Sequence, residues 1–183
     1  GLHQPALYGS CAMPGSTGDF IPIAGEAGAQ MGSLNTAWRG QVLLEEALVS
    51  RAVGTVVFGL PGDSMLVVNK YGQRVMNEKR NYNDRTQVHF VYDPVRGEYP
   101  NHLLFMLFDQ RALDAHAGAF PYPASPGEAA YIVRGSTLDE LAAKLDARLK
   151  ELEARIGGVS LAPGFVAGAR ASIGRFNEFA KAG

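Results

Sequence analysis

The sequence offers little sulfur chemistry and almost no net charge. A single cysteine, Cys11, excludes an internal disulfide framework, and a reducing, cytoplasmic setting is the plainer expectation. The four histidines, His3, His89, His102 and His116, stand far apart without paired ligand spacing, so no metal site is expected. A formal net charge of −1 gives neither nucleic acid nor an anionic membrane surface an electrostatic reason to bind. No apolar run approaches the roughly 20 residues of a membrane span, and the expectation is that the chain carries no signal peptide. A G-x-S-x-G elbow is missing, which leaves a hydrolytic triad unsupported. A G-x-G-x-x-G between strand and helix is missing too, so the usual pyrophosphate-holding fingerprint of a dinucleotide site is not in this stretch.

What is present suffices for a core. The 183 residues are 46% hydrophobic, enough for one domain, or for one domain with a docked fragment of another. The first residue is Gly rather than Met, and the expectation is a piece excised from a longer protein.

The most informative stretch runs from Leu66 to Asp84. Met65, Leu66, Val67 and Val68 lead into a polar turn, Asn69-Lys70-Tyr71-Gly72, the pattern of a strand entering a turn. A short segment, 74–77, follows and ends in a polar cluster from Glu78 to Asp84. On composition the cluster is either a solvated loop, the commoner case, or the wall of a binding cleft.

Elsewhere the local signals are conventional. Asp19 precedes Ile23, Ala24, Ala27, Gly28 and Met31, spaced like one helix face, and is placed to cap it, with Pro22 in the first turn. Residues 41–52 read as helix, and 55–58 and 131–134 as strands. Leu103 to Phe108 is the clearest buried strand, with Asp109 capping a helix start. Segment 118–129 is a Pro/Gly loop, and 88–92 fits a helical turn or an edge strand. Thr137 and Glu140 form a capping box before a helix that Gly157-Gly158 ends. A last amphipathic helix after Pro163 carries Phe165, Ala169, Ile173, Phe176 and Ala180 on one stripe. The lone Trp38, after Ser33-Leu34-Asn35-Thr36-Ala37, reads more readily as a core anchor than as a ligand contact.

The run VVN-x-x-G-x-R-x-x-NE-x-x-x-Y, from Val67 to Tyr82, resembles the substrate (cap) domain of FAD-dependent oxidoreductases of the fumarate reductase and 3-ketosteroid Δ1-dehydrogenase superfamily. Asn69, Gly72, Arg74, Asn77 and Glu78 match; Val75 stands where the family usually has Phe. Four residues past the Glu, fumarate reductases carry a proton-donating Arg and ketosteroid dehydrogenases a proton-abstracting Tyr. This chain has Tyr82 there. Leu60-Pro61-Gly62 is similar to the dehydrogenase branch. Thr17-Gly18-Asp19 resembles the family's TGDG, with Phe20 replacing the last Gly; Asp109-Gln110-Arg111 and Arg175-Phe176-Asn177 resemble its FDQ-R and RFN segments.

The resemblance implies an α+β fold. A small mixed or antiparallel sheet, built from segments near 55–58, 65–69, 74–77, 103–108 and 131–134, packs against helices. Residues 1–52 would be an edge segment of the FAD-binding domain, 53–160 the cap domain, and 161–183 the helix leading back. It implies FAD as cofactor of the full-length protein, touched by Gly18 and Asp19 but not held by this piece alone, which is expected to be inactive. Tyr82 would be the catalytic residue, and Tyr82, Asn81 and Arg85 the substrate contacts. Tyrosine is a poor base at its reference pKa of about 10, so Lys79, Arg80 or Arg85 would have to favour the phenolate. A tyrosine in place of an arginine suits a neutral, steroid-like or cyclic ketone better than a dicarboxylate. The expected partners are a small-molecule substrate, the remainder of the protein's own FAD-binding domain, and a second copy, through apolar surface left on the Asp19 helix. Two alternatives stay open: a non-catalytic ligand- or protein-binding module of the same ancestry, and a fumarate/succinate-type reductase fragment.

Overall fold

The computed structural model describes residues 7–33, 36–125, 127 and 129–182. His3, Leu34, Asn35, Pro126, Glu128 and Gly183, which the readings above include, lie outside the described residues. The elements run α1 (Phe20–Glu26), α2 (Leu44–Val49), β1 (Met65–Val68), α3 (Tyr82–Arg85), a 3-10 turn (Thr86–Phe90), β2 (Phe105–Phe108), α4 (Gln110–His116), α5 (Leu138–Ile156) and α6 (Phe165–Ala182). The fold is α+β.

β1 and β2 pair antiparallel, with Leu66 opposite Leu107 and Val68 opposite Phe105. Side chains alternate between the faces of a strand, and here both faces are covered. Leu66, Val68, Leu107 and Phe105 pack on Ala142, Phe165 and Ala169 of α5 and α6. Met65, Val67, Met106 and Phe108 pack on Val57 and Leu60. A four-residue all-apolar strand, MLVV, fits a position buried on both sides.

The two long helices form where local signals agree. The Thr137 hydroxyl accepts the Glu140 N–H at 3.1 Å, and Glu140 returns a carboxylate oxygen to the Ser136 N–H at 2.8 Å. Gly157 closes α5 in the left-handed region, φ 76°. Asp109 caps α4, accepting from the Ala112 N–H at 2.8 Å.

Several expectations are corrected. The sheet has two strands among the described residues, not five. Segment 55–58 is not a strand: the Val57 N–H goes to the Gln41 carbonyl at 2.8 Å, and the Phe58 N–H turns back to the Val56 carbonyl at 2.9 Å. Segment 74–77 makes a single bridge, Arg74 to Val68, because the Glu78 carboxylate takes the Val67 N–H at 2.9 Å where a third strand would have paired. Segment 131–134 forms no ladder; the Ile132 N–H closes a turn on the Ala129 carbonyl. Asp19 stands at the N-cap of α1 in helical geometry and makes no capping bond; its carboxylate accepts from the Thr17 hydroxyl at 2.7 Å instead. α1 buries none of its residues and leaves Phe20 and Ile23 exposed, the apolar surface expected there. No helix among the described residues is long and apolar enough to cross a membrane.

Candidate functional site

The polar half of the Val67–Tyr82 run first does structural work. Asn69 is buried; its Oδ1 accepts from the Tyr71 N–H at 2.9 Å and the Gln73 N–H at 3.1 Å, forming the turn. Its amide donates to Asn101 Oδ1 at 3.0 Å. Glu78, 3% exposed, accepts the Val67 N–H and holds the Arg74 guanidinium by Nε and Nη2, the latter at 2.5 Å. That hydrogen bond to Glu78 raises the Arg74 guanidinium above the usual arginine range. Asn69, Arg74 and Glu78 therefore set the turn and close one edge of β1.

The chain then reaches α3, a single turn in which Tyr82, Asn83 and Arg85 each have a separate contact. Asn81 caps it, its Oδ1 accepting from the Asn83 N–H at 2.9 Å. Asn83 Oδ1 accepts from the Arg39 N–H at 3.0 Å, and the Thr86 hydroxyl donates to the Asn83 carbonyl at 2.9 Å. Arg85 is 1% exposed and donates through Nη2 to the carbonyls of Val57 (2.8 Å) and Phe58 (3.0 Å). Its Nε and Nη1 meet no partner among the described residues. Burial pushes this guanidinium below the usual arginine range, and the charge of Glu78 opposes that shift.

Tyr82 lies between the two segments that α3 anchors. Its ring meets Phe58 edge-on, centroids 5.0 Å apart, and Trp38 at a tilt, 6.0 Å apart. Trp38 is 81% exposed and Phe58 64%. The core-anchor reading of Trp38 is thus corrected: the indole stands on an open aromatic face. Tyr82 is half-buried, and its hydroxyl makes no hydrogen bond to any described residue. Three rings presented together, one tilted and one edge-on to Tyr82, give an apolar platform with one polar tip, the kind of exposed apolar surface that marks interaction sites.

The other residues predicted for the site fall apart into different settings. Asn81 is exposed beside Tyr82, its oxygen spent on the cap. Lys79 donates through Nζ to the Leu60 carbonyl at 2.7 Å and to the Gly62 carbonyl, so it clamps the Leu-Pro-Gly loop. Gly18 and Asp19 make no hydrogen bond or ring contact with Tyr82 or its neighbours among the described residues. Two surface concavities, one lined by Glu45, Val49 and Thr55, the other by Ile132, Arg134 and Arg148, include none of Tyr82, Asn81, Arg85 or Asp19. The candidate site is an open face. Among the described residues no group of three His, Cys, Asp or Glu is arranged to hold a metal. Sequence reasoning missed Phe58, Asn83 and Thr86 as site-builders, since nothing local marks which residue 24 positions upstream will meet Tyr82.

For a flavin, the residues at the N-terminal edge fit a contact at one side only. Gly18 has φ of 84°, which lets backbone approach closely without a side chain. The exposed Asp19 carboxylate has one oxygen engaged by Thr17 and the other without a partner among the described residues, able to accept from a ligand hydroxyl or N–H.

Residues 3–170 match the family described as FAD binding domain. The chain is also 30% identical, over 152 residues, to a 4-oxocyclohexanecarboxylate 2-dehydrogenase of Sinomonas cyclohexanicum, an alignment that takes in 82% of this chain. The chain spans about a quarter of that relative, 26% of its length. With nearly its whole length inside the family match, this chain belongs to the FAD binding domain family, whose cofactor is FAD.

Proposed function

We propose that this chain is the substrate-facing part of an FAD-dependent dehydrogenase that desaturates a carbon–carbon bond beside the carbonyl of a cyclic ketone. Residues 53–160 serve as the cap, and 1–52 and 161–183 belong with the FAD domain. The reading rests on one observation above the others: Tyr82, the residue at the motif's proton-transfer position, carries a hydroxyl that makes no hydrogen bond to any described residue, on an open aromatic face.

Such a reaction removes a proton from the carbon next to the carbonyl and a hydride from its neighbour. FAD, when bound, supplies the hydride acceptor. The Tyr82 oxygen takes the proton. Trp38 and Phe58 hold the flat side of the substrate ring, and the Asn81 amide N–H groups, not used by the cap, meet a ligand oxygen. Arg85 reaches the ligand only through the platform in front of it. Gly18 and Asp19 touch the cofactor, and the apolar face of α1 docks on the remainder of the FAD-binding domain. The relative's name specifies a six-membered ring ketone bearing a carboxylate. A ring of that size suits a three-ring platform, and the exposed Arg80, two residues before Tyr82, is available to meet a carboxylate.

The test is Tyr82→Phe in the full-length, FAD-loaded protein, assayed with a cyclohexanone carboxylate. Turnover is expected to fall by about two to three orders of magnitude with the flavin spectrum and FAD content unchanged. Near-normal turnover removes Tyr82 from the chemistry.

A further inference from the structure

We infer that Arg85 is a positioning residue for Tyr82 that acts through Phe58; the inference rests on the dehydrogenase reading above. A guanidinium 1% exposed, with Nε and Nη1 unpartnered among the described residues, is an expensive group to keep in a core. An apolar side chain of similar volume would fill the space without that cost. What the guanidinium does that no apolar side chain can do is hold two consecutive carbonyls, those of Val57 and Phe58, on one nitrogen.

In an extended strand, successive carbonyls point to opposite edges. Two that converge on one donor require a kink, and the Phe58 N–H closing on the Val56 carbonyl at 2.9 Å is that kink. The kink sends the Phe58 ring outward, where it stands at 82° to the Tyr82 ring with centroids 5.0 Å apart. Arg85 and Tyr82 are three residues apart on the same single turn, so they share one face of α3. Helix, guanidinium, kinked backbone and phenyl edge thus form a closed loop that returns to the phenol. Arg85 fixes where the Tyr82 oxygen sits relative to a ligand on the platform, without touching that ligand.

The experiment uses the full-length, FAD-loaded protein and compares Arg85→Met, Arg85→Lys, Phe58→Ala, the Arg85→Met/Phe58→Ala double variant and Tyr82→Phe. Rates are taken per bound flavin on a cyclohexanone carboxylate. A misplaced reactive group costs turnover more than binding, so Arg85→Met is expected to lower kcat by about ten- to a hundredfold with KM within about threefold of normal. Arg85→Lys, which keeps one charged donor nitrogen, should recover part of the loss. Phe58→Ala changes an exposed side chain and should fold; it should reproduce the kcat loss and, because Phe58 also meets the substrate ring, raise KM as well, and the double variant should have a kcat no worse than the poorer single one. Normal kcat in Arg85→Met, a loss confined to KM, or additive losses in the double variant would each overturn the positioning role while leaving Tyr82 in place. Normal turnover in Tyr82→Phe would overturn the dehydrogenase reading itself. If Arg85→Met does not fold, Arg85→Lys and Phe58→Ala decide: unchanged kcat in both overturns the proposal.

Discussion

Gly72 and Gly168 lie where the turn after β1 presses on α6 with no room for a side chain on either. A Cβ on Gly72 would stand 2.2 Å from the Phe165 carbonyl oxygen, and one on Gly168 2.0 Å from the Tyr71 carbonyl oxygen. Both obstacles are backbone, so neither can rotate away. The Ser172 hydroxyl ties the same contact, donating to the Gly72 carbonyl at 2.8 Å and accepting from the Arg74 N–H at 3.1 Å. Helix α6 is thereby fixed to the turn that leads toward Tyr82.

Gly168→Ala should lower the unfolding free energy by about 1–3 kcal/mol, the usual cost of overpacking. Gly174→Ala, in the same helix with nothing within 4 Å of the new Cβ, should gain up to about 1 kcal/mol, because alanine is the better helix former. Urea denaturation of the two variants checks this. Changes of the same sign would show that the turn and α6 are not in contact.

Glu78 closes the free edge of β1 and pairs with Arg74, and its two tasks can be separated. Glu78→Gln keeps an acceptor for the Val67 N–H and loses the ion pair, at a cost of about 1–2 kcal/mol. Glu78→Leu loses both and leaves a buried N–H and a partly buried cation unmatched, at about 3–5 kcal/mol. Equal losses in denaturant unfolding would mean that the Val67 bond contributes nothing.

The same carboxylate shows why part of this fold could be read from sequence and part could not. The helix from Leu138 to Ile156 declares itself locally: seven apolar residues at helical spacing, a Thr137 cap and a Gly157 stop. Whether 55–58 and 74–77 join a sheet is a different question, decided by distant partners. Glu78 and Arg85 occupy the hydrogen-bonding groups that neighbouring strands would have used, and nothing in the alternation of Thr55 to Phe58 announces it. Tyr82 was legible only through the family likeness of its motif. Its aromatic neighbours were not, since Trp38 and Phe58 reach it across 44 and 24 residues of chain, held by Asn83 and Arg85.

Acid should weaken the chain through His89. Its Nδ1 lies 3.1 Å from the His102 carbonyl, which can only accept, so Nδ1 carries the proton; Nε2, 3.0 Å from the Gln41 amide nitrogen, is then the acceptor. Burial holds this imidazole below the usual histidine range, and nearby His102 pushes the same way, against backbone hydrogen bonds at His102 and Asn101. The unfolded chain therefore binds a proton more readily than the folded one. The stability His89 contributes is fully present above the unfolded value of about 6.5 and is lost as pH falls toward the depressed folded value. Unfolding free energies at about pH 7.5 and 5.5 should differ more for the parent chain than for His89→Gln. Parallel profiles would show that the site titrates as freely folded as unfolded.

Trp38 distinguishes a platform from a core by the size of a single loss. Removing a buried tryptophan costs about 3–5 kcal/mol, because the cavity left behind cannot collapse. An indole that is 81% exposed leaves almost no cavity, so Trp38→Ala should change the unfolding free energy by no more than about 0.5 kcal/mol. As the only tryptophan in the chain, Trp38 also reports on itself: its emission in the parent protein should be quenched by acrylamide nearly as readily as that of free tryptophan. A stability loss in the core range, or protection from the quencher, would put the indole back inside the fold. The Tyr82 phenol would then have lost one of its two aromatic walls, and with it the open face on which a ring substrate is proposed to lie.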